Sequence, residues 1–379
     1  MGKYTLIATS AMGLEALVAK EVRDLGYDCQ VENGKIIFEG DELAIARCNM
    51  WLRTADRVKL IVGEFKAFSF DELFEKTKAL KWSRFITKKA QFIVNGKSHK
   101  SKLFSVSDCQ SIVKKAIVES LKKAYKIEWF EESAERVDVE VAILKDVVTL
   151  TIDTTGKNQG LHKRGYRVSQ GPAPIKETLA AAMISLTNWY PDRPFVDPFC
   201  GSGTLPIEAA LIGQNIAPGF NREFISETWP WIDQSVWEKA RTEAEDMANY
   251  DQKLKILGSD IDHKMIEISK QNANEAGLGD IVNFKQMQVT DFTSKEEYGV
   301  LLGNPPYGER IGDREEVEQM YREMGKAFQT LDTWSIYILT SYEKFEQLYG
   351  KKATKKRKLF NGSIRTDLYQ FWGPRPPRK

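Results

Sequence analysis

Asn304, Pro305, Pro306 and Tyr307 follow an apolar run, Leu301-Leu302-Gly303, and the four together can hold a planar exocyclic amine. The Asn304 side chain offers a carbonyl acceptor. The Pro305 carbonyl offers a second, on a backbone stiffened by the fixed φ of proline. Tyr307 offers a π-face on which a ring can stack. The stretch continues through Gly308-Glu309-Arg310. A strand ending in a Pro-Pro turn uses the same residue types, so taken alone the tetrapeptide reads either way.

Upstream residues decide between the two. Asp197-Pro198-Phe199-Cys200-Gly201-Ser202-Gly203-Thr204 joins a short strand, Phe195-Val196-Asp197, to a helical pattern through Leu205, Ile207, Ala209, Ala210 and Leu211. Glycines in such a loop let a ligand approach the backbone, and the helix N-terminus behind them favours an anionic group. Pro206 stands where a dinucleotide fingerprint needs its third glycine, which disfavours NAD. A leading carboxylate suits a ligand with a cationic amine, such as the methionine end of S-adenosylmethionine, whose own carboxylate then faces the loop amides. Asp260 closes the next strand, from Leu254, where an acid can accept both ribose hydroxyls. It lies much further from Asp197 than the ~20 residues of a compact βαβ unit. The stretch from Gln214 to Gln252, holding Trp229, Trp231, Trp237 and many acids, reads as the insertion responsible.

These residues need an open α/β sheet to position them. From Pro174 onward the chain repeats strand, loop and helix: an alanine-rich helix, the strand at Phe195, the strand ending at Asp260, a helix from Met265 to Ala276, then strands at Ile281 to Phe284 and at the tetrapeptide. Trp334 to Thr340 and Leu368 to Trp372 are apolar enough to be further strands. Between them Lys351, Lys352, Lys355, Lys356, Arg357 and Lys358 form a basic cluster, a solvated loop or a contact with a phosphate backbone. A polar connector, Gly156 to Gln170 with Lys157, His162, Lys163, Arg164 and Arg167, carries the main domain boundary.

The first half reads as α+β. Strands are expected at Tyr4 to Ala8, Lys35 to Phe38 and Val58 to Val62, with helices after Ser10 and around Asp41 to Cys48. From Lys76 to Lys102 the chain carries nine Lys and Arg residues and no Asp or Glu, interleaved with Trp82, Phe85 and Phe92. Positive density of this kind is an electrostatic footprint for a phosphate backbone, although each lysine singly suits a solvated surface. A strand at Gln91 to Val94 leads to Asn95-Gly96, and Ser107 with Gln110 resembles a capping box opening a helix. Strands at Val137 to Val141 and Val147 to Ile152 complete the half.

At 379 residues, 42% hydrophobic and 28% charged, the chain has room for two or three domains. Cys29, Cys48, Cys109 and Cys200 are scattered, and there are three histidines, which argues against a disulfide framework and a zinc site. No signal-type segment or membrane-length apolar run is present, so a cytoplasmic protein is expected.

The second half resembles class I S-adenosylmethionine-dependent methyltransferases that modify exocyclic or amide nitrogens. The first half resembles a ferredoxin-like subdomain followed by a THUMP domain, and the whole resembles the bacterial THUMP-containing 23S rRNA guanine-N2 methyltransferases. The residues that carry this are Gly13-Leu14-Glu15, Leu161 to Arg167, Lys176 to Ala181, Asp197 to Thr204 and Asn304 to Tyr307. The resemblance implies an α/β fold with a C-terminal Rossmann-like class I methyltransferase domain over 161–379. It implies a ferredoxin-like subdomain over 1–66 and a THUMP RNA-binding domain over 67–160. It also implies cofactor contacts from Glu177, Thr178, Asp197, Phe199, Gly201, Gly203, Thr204, Asp260, Ile261 and Asn304, with Asn304, Pro305 and Tyr307 catalytic and no metal. Where many members have an acid for the adenine amine, this chain has Gln288, which is the implied cofactor contact as acceptor of that amine's hydrogen bond, with Asp291 three residues on. The implied reaction moves a methyl group from S-adenosylmethionine to guanine N2, leaving S-adenosylhomocysteine. Ribosomal RNA is the expected partner and tRNA the alternative. The tetrapeptide also serves adenine-N6 and glutamine-N5 methylation, and a non-catalytic assembly factor with this fold is a further reading. Oligomeric state is not legible.

Overall fold

The computed structural model describes residues 2–156, 159–171, 174–307 and 313–377. Gly308, Glu309 and Arg310 of the motif stretch and Lys157 of the connector lie outside the described residues. The chain forms two compact units, each discontinuous in sequence. The first holds residues 1–10, 18–161 and 223–243, and the second 11–17, 162–222 and 244–379.

The first unit contains β1 (Tyr4–Ser10), α1 (Glu15–Asp24, from Val18), β2 (Cys29–Glu32), β3 (Lys35–Gly40), α2 (Glu42–Trp51), β4 (Ala55–Lys66), α3 (Phe70–Lys78), β5 (Gln91–His99), α4 (Val106–Tyr125), β6 (Arg136–Leu144) and β7 (Val147–Asp153). One sheet orders its strands β2-β3-β1-β4-β7-β6-β5. The twelve-residue β4 makes it continuous, pairing β1 through Ala55 to Leu60 and β7 through Lys59 to Lys66. Two local expectations fail here. β5 runs straight through Asn95-Gly96, because Gly96 has no Cβ to meet the Gln110 side chain, which would lie 2.8 Å away. No capping box forms: the helix starts at Val106, and Gln110 Nε2 instead donates to the Val94 carbonyl at 3.2 Å.

The basic run is acid-free in sequence only. Lys97 pairs with Glu140 (2.9 Å) and Lys89 with Glu131 (3.1 Å), while Lys76 and Lys78 lie near Glu72 and Glu75 on their own helix. Its aromatics are core: Trp82, Phe85 and Phe92 are all buried. The tryptophans of the expected insertion are also structural. Residues 223–243 pack in this first unit, where Trp229 Nε1 donates to the Arg136 carbonyl (2.9 Å) and Trp231 Nε1 to the Phe85 carbonyl (3.2 Å). The Arg47 guanidinium grips Glu243 through two bonds, at 2.7 and 2.6 Å.

The second unit follows with α5 (Glu177–Ser185), β8 (Phe195–Asp197), α6 (Thr204–Gly213), α7 (Gln234–Met247, from Ala244), β9 (Ile256–Asp260), α8 (His263–Glu275), β10 (Val282–Gln286), β11 (Val300–Gly303), α9 (Asp313–Phe328), β12 (Ser335–Thr340), α10 (Phe345–Tyr349), β13 (Lys355–Asn361) and β14 (Ile364–Phe371). Its sheet is ordered β10-β9-β8-β11-β12-β14-β13. The first five strands are parallel, and β14 runs antiparallel between β12 and β13. The strands read as unbroken apolar runs because both faces are covered. Phe195, Leu302, Tyr337 and Leu339 enter one buried cluster, while Val196, Leu301, Ile336 and Ile338 enter the other. This is a Rossmann-like sheet whose order reverses between β8 and β11, the place where such folds bind ligands.

The second basic cluster divides: Lys351 and Lys352 lie in the loop after α10, and the other four in a strand. Lys355 to Lys358 belong to edge strand β13, where lysines keep a sheet edge from pairing with other chains. Arg357 donates to the Gly13 carbonyl at 2.8 Å, which ties residues 11–17 to this edge. Leu14 is part of the second unit's core. Among the described residues, no helix is long and apolar enough to cross a membrane.

Candidate active site

Three strand ends supply the polar residues. Asp197 ends β8, Asp260 ends β9, and Asn304 follows the last residue of β11. The glycine loop is laced to its neighbour: the Cys200 amide donates to the Ser259 carbonyl (2.9 Å) and the Gly201 amide to Asp260 Oδ2 (3.0 Å). Asp260 Oδ1 takes the Asp262 amide at 3.0 Å. Each oxygen of Asp260 thus holds one backbone amide and keeps lone-pair capacity for a ligand hydroxyl. The loop demands its glycines. Gly201 and Gly203 have φ of 49° and 86°, and a Cβ on Gly203 would lie 3.0 Å from Ser269 Cβ and 3.1 Å from the Phe284 ring.

Asp197 is 1% exposed, and its Oδ1 accepts the Phe199 amide at 3.0 Å. Burial, reinforced by the neighbouring Asp260, pushes its carboxyl well above the usual range, against the pull of the Phe199 amide. Phe199 links the loop to the tetrapeptide: a Cβ on Gly303 would lie 3.0 Å from its ring. Ile261, at the tip of β9, is 65% exposed. The Met287 amide donates to the Asp260 carbonyl (3.0 Å), which places the end of β10 beside that tip. Gln288 and Asp291 are exposed at the two ends of the short turn that follows.

The tetrapeptide is braced from two further elements. Tyr307 Oη donates to Asn304 Oδ1 at 2.5 Å, and Asn361 Nδ2 of β13 donates to Tyr307 Oη at 3.3 Å. Tyr321 of α9 holds the Pro306 carbonyl at 2.9 Å, and its hydroxyl also lies 2.9 Å from Thr340 Oγ1. Pro305 is buried and Pro306 exposed.

Glu177, Thr178 and Thr204 are buried. Arg167 brings two of them together. Its guanidinium lies 3.0 Å from Glu177 Oε1 and donates to Thr204 Oγ1 and the Ile175 carbonyl, both at 2.8 Å. The Glu177 carboxylate is therefore committed to an ion pair, and burial holds its pKa up despite that cation. Beneath the loop, Arg164 and Tyr166 converge on the fully buried Glu208 of α6. Asn272 of α8 donates to the Ser202 and Ser169 carbonyls, each at 2.9 Å, and accepts from the Val168 amide at 3.1 Å. Asn272, Tyr321 and Asn361 carry no sequence signal, since each does its work through a partner far along the chain. Cys200 is buried, and burial pushes its thiol well up, so it stays protonated. Among the described residues, no group of three or more His, Cys, Asp or Glu could hold a metal ion.

Comparison with known families finds the profile of the RMKL-like methyltransferase domain over residues 164–370. The chain belongs to the RMKL-like methyltransferase family. The RlmL ferredoxin-like domain matches residues 5–59 and the THUMP domain residues 67–153. YpsC of Bacillus subtilis (strain 168), provisionally named an RNA methyltransferase, is 66% identical, covering 100% of this chain and 99% of its own. A crystal structure from Listeria monocytogenes, titled by prediction an N6-adenine-specific DNA methylase, is 64% identical with a TM-score of 0.95, covering 99% of this chain and 97% of that one. SMU.472, provisionally named a methyltransferase and solved in complex with SAH, is 50% identical with a TM-score of 0.95 and complete coverage of both chains.

In this RMKL-like methyltransferase the Tyr307 hydroxyl and ring are separable. Tyr307→Phe keeps the ring and loses both the bond to Asn304 and the weaker one from Asn361. It is expected to lower kcat about 2- to 10-fold, the worth of one ordinary hydrogen bond, with KM for RNA nearly unchanged. Tyr307→Ala is expected to raise KM as well. Steady-state kinetics of the two variants checks the division, and equal KM values would remove the ring from substrate binding.

Proposed function

We propose that the protein transfers the methyl group of S-adenosylmethionine to the exocyclic N2 of a guanine in RNA, with 23S ribosomal RNA as the substrate. The observation that carries this reading is Asn304 at the exit of β11, its carbonyl fixed by Tyr307, one strand away from the Asp197 loop. The donor set suits the cofactor: a buried carboxylate for its amine, a glycine loop opening a helix for its carboxylate, Asp260 for its ribose and the exposed Ile261 for its adenine. When bound, S-adenosylmethionine supplies an electrophilic methyl group on a sulfonium. The chain's own contribution is positioning. Asn304 Oδ1 and the Pro305 carbonyl accept the two hydrogens of the substrate amine, turning its lone pair toward the methyl group. The Tyr307 ring supports a base drawn out of its stack.

RNA as the substrate is supported by the THUMP match and by the name of YpsC. The Listeria title names adenine N6 in DNA instead, which is the same kind of planar amine. Nucleoside mass spectrometry separates them: ribosomal RNA, tRNA and DNA from a deletion strain are each incubated with the protein and labelled cofactor. Label recovered as N2-methylguanosine in 23S rRNA is the expected result. Label in adenine, tRNA or DNA would replace that substrate.

The raised Asp197 gives a pH signature. A carboxyl whose folded pKa lies above its ordinary value keeps its proton to higher pH in the free protein, and it must ionise to meet the cofactor's amine. Affinity for S-adenosylmethionine is therefore expected to climb as pH rises from the usual carboxylate range through the raised value, with a proton released on binding. Calorimetry in buffers of different ionisation enthalpy measures that proton. Asp197→Asn should flatten the profile, and an unchanged profile in that variant would assign the proton elsewhere.

A further inference from the structure

Three loops meet at one end of the first unit's sheet: residues 67–69 between β4 and α3, residues 100–105 between β5 and α4, and the Lys145-Asp146 turn between β6 and β7. Four hydrogen bonds stitch them. The Ala67 amide donates to the Asp146 carbonyl (3.1 Å), the Lys145 amide to the His99 carbonyl (3.2 Å), the Asp146 amide to Ser101 Oγ (3.0 Å) and the Lys102 amide to Asp146 Oδ1 (2.6 Å). On this surface Phe104, Phe68 and Phe70 are 82%, 45% and 37% exposed, unlike the buried aromatics of the same unit. The Lys102 ammonium lies 5.0 Å from the Phe68 ring centroid, and Lys66, Lys100 and Lys145 are exposed beside it.

Two things separate this patch from ordinary surface. Two of its acids are engaged, Asp146 by the Lys102 amide and Glu72 by the Phe68 amide (3.2 Å) and Lys76 (3.5 Å), while Asp71 and Asp108 are exposed in the first turns of α3 and α4. Its backbone also adopts conformations that side chains disfavour. Lys100, Lys145 and Asp146 have φ of 51°, 49° and 64°. A two-residue turn between paired strands favours Asn-Gly or Gly-Gly, so Lys-Asp there costs stability. Such strain is retained where function needs the side chains.

We propose that this end of the sheet is a stacking platform for unpaired bases of RNA, with Phe104 and Phe68 taking the base faces and Lys100, Lys102 and Lys145 the flanking phosphates. The platform rests on the RNA reading above and says where and in what form the strand is held. Single-strand preference follows from the chemistry: exposed rings need open base faces, and a duplex has already used them.

Anisotropy of the full chain with a labelled single-stranded RNA of about ten nucleotides, and with the same RNA annealed to its complement, tests this. The Phe68→Ala/Phe104→Ala variant is expected to bind the single strand about 30-fold more weakly or worse, to bind duplex nearly as before, and to bind S-adenosylmethionine normally. Phe104→Trp should retain wild-type affinity. Lys102→Ala/Lys145→Ala should reduce the salt dependence of single-strand binding. Unchanged single-strand affinity in the folded phenylalanine variant overturns the platform, leaves the methyl-transfer reading standing and gives the patch to a protein contact. Equal losses on single strand and duplex overturn base stacking. Wild-type protein that binds neither RNA overturns the RNA reading and the platform with it.

Discussion

Asn304→Ala is expected to lower turnover by about 10²–10³-fold, the loss seen when one preorganised polar partner of a transition state is removed. Its carbonyl is fixed before any substrate arrives, because Tyr307 Oη donates to it and Asn361 anchors that hydroxyl in turn. Its neighbour Pro305 is buried, and Pro306 is held by Tyr321. An acceptor set this firmly needs little reorganisation when the amine begins to pyramidalise. Alanine leaves the backbone path in place and removes only the acceptor. Cofactor binding should fall far less, because Asp197, Asp260 and the glycine loop are held together by their own bonds. Single-turnover kinetics on RNA, beside calorimetry with S-adenosylmethionine, measures both quantities. Turnover close to wild type would remove Asn304 from the chemistry.

The second large effect is on stability. Arg164→Ala strips the guanidinium from Glu208, whose side chain is fully buried, and the Tyr166 hydroxyl at 3.1 Å is then a neutral donor facing a charge. Breaking a buried ion pair from one side costs about 3–5 kcal/mol, because the remaining charge is stranded in low dielectric. Urea denaturation should show a midpoint lowered to match. The double change Arg164→Met/Glu208→Leu should recover much of the loss, since a well-packed apolar pair of similar volume replaces both charges. A single variant with an unchanged midpoint would mean that the pair carries no such cost. The loop it supports should weaken with it, so the single variant is also expected to bind cofactor less tightly.

Much of the second unit could be read from local pattern, for physical reasons. Strands buried on both faces show as apolar runs, so β8, β9, β11 and β12 were legible, and a glycine loop between strand and helix announces itself by its φ demands. β13 was not, because an edge strand with four consecutive cations has almost no apolar signal. The short β2 was lost in the same way, being polar and largely exposed. What pairs across long separations was invisible: Glu140 answering Lys97, Trp229 seeking Arg136, Arg167 drawing Glu177 to Thr204. None of these has a period, and each depends on the fold already being present. The aromatics interleaved among lysines suggested a binding surface and proved to be core, while Phe104 stood exposed outside the run.

The discontinuity of the two units bears on how the protein is born. Synthesis proceeds from the N-terminus, and domains generally fold as units while it does. The first unit cannot close in that order, because Trp229, Trp237 and Glu243 arrive only after β8 and α6 of the second unit have been made. Leu14 and Leu17, made at the outset, must wait for a core assembled from residues far downstream. The nascent chain is therefore expected to hold an unfinished first unit through more than half of translation, to complete it once residue 243 has emerged, and to complete the second unit only near the end of synthesis. A ribosome stalled at the connector should present a protease-sensitive N-terminal half, and one stalled beyond residue 243 a resistant one.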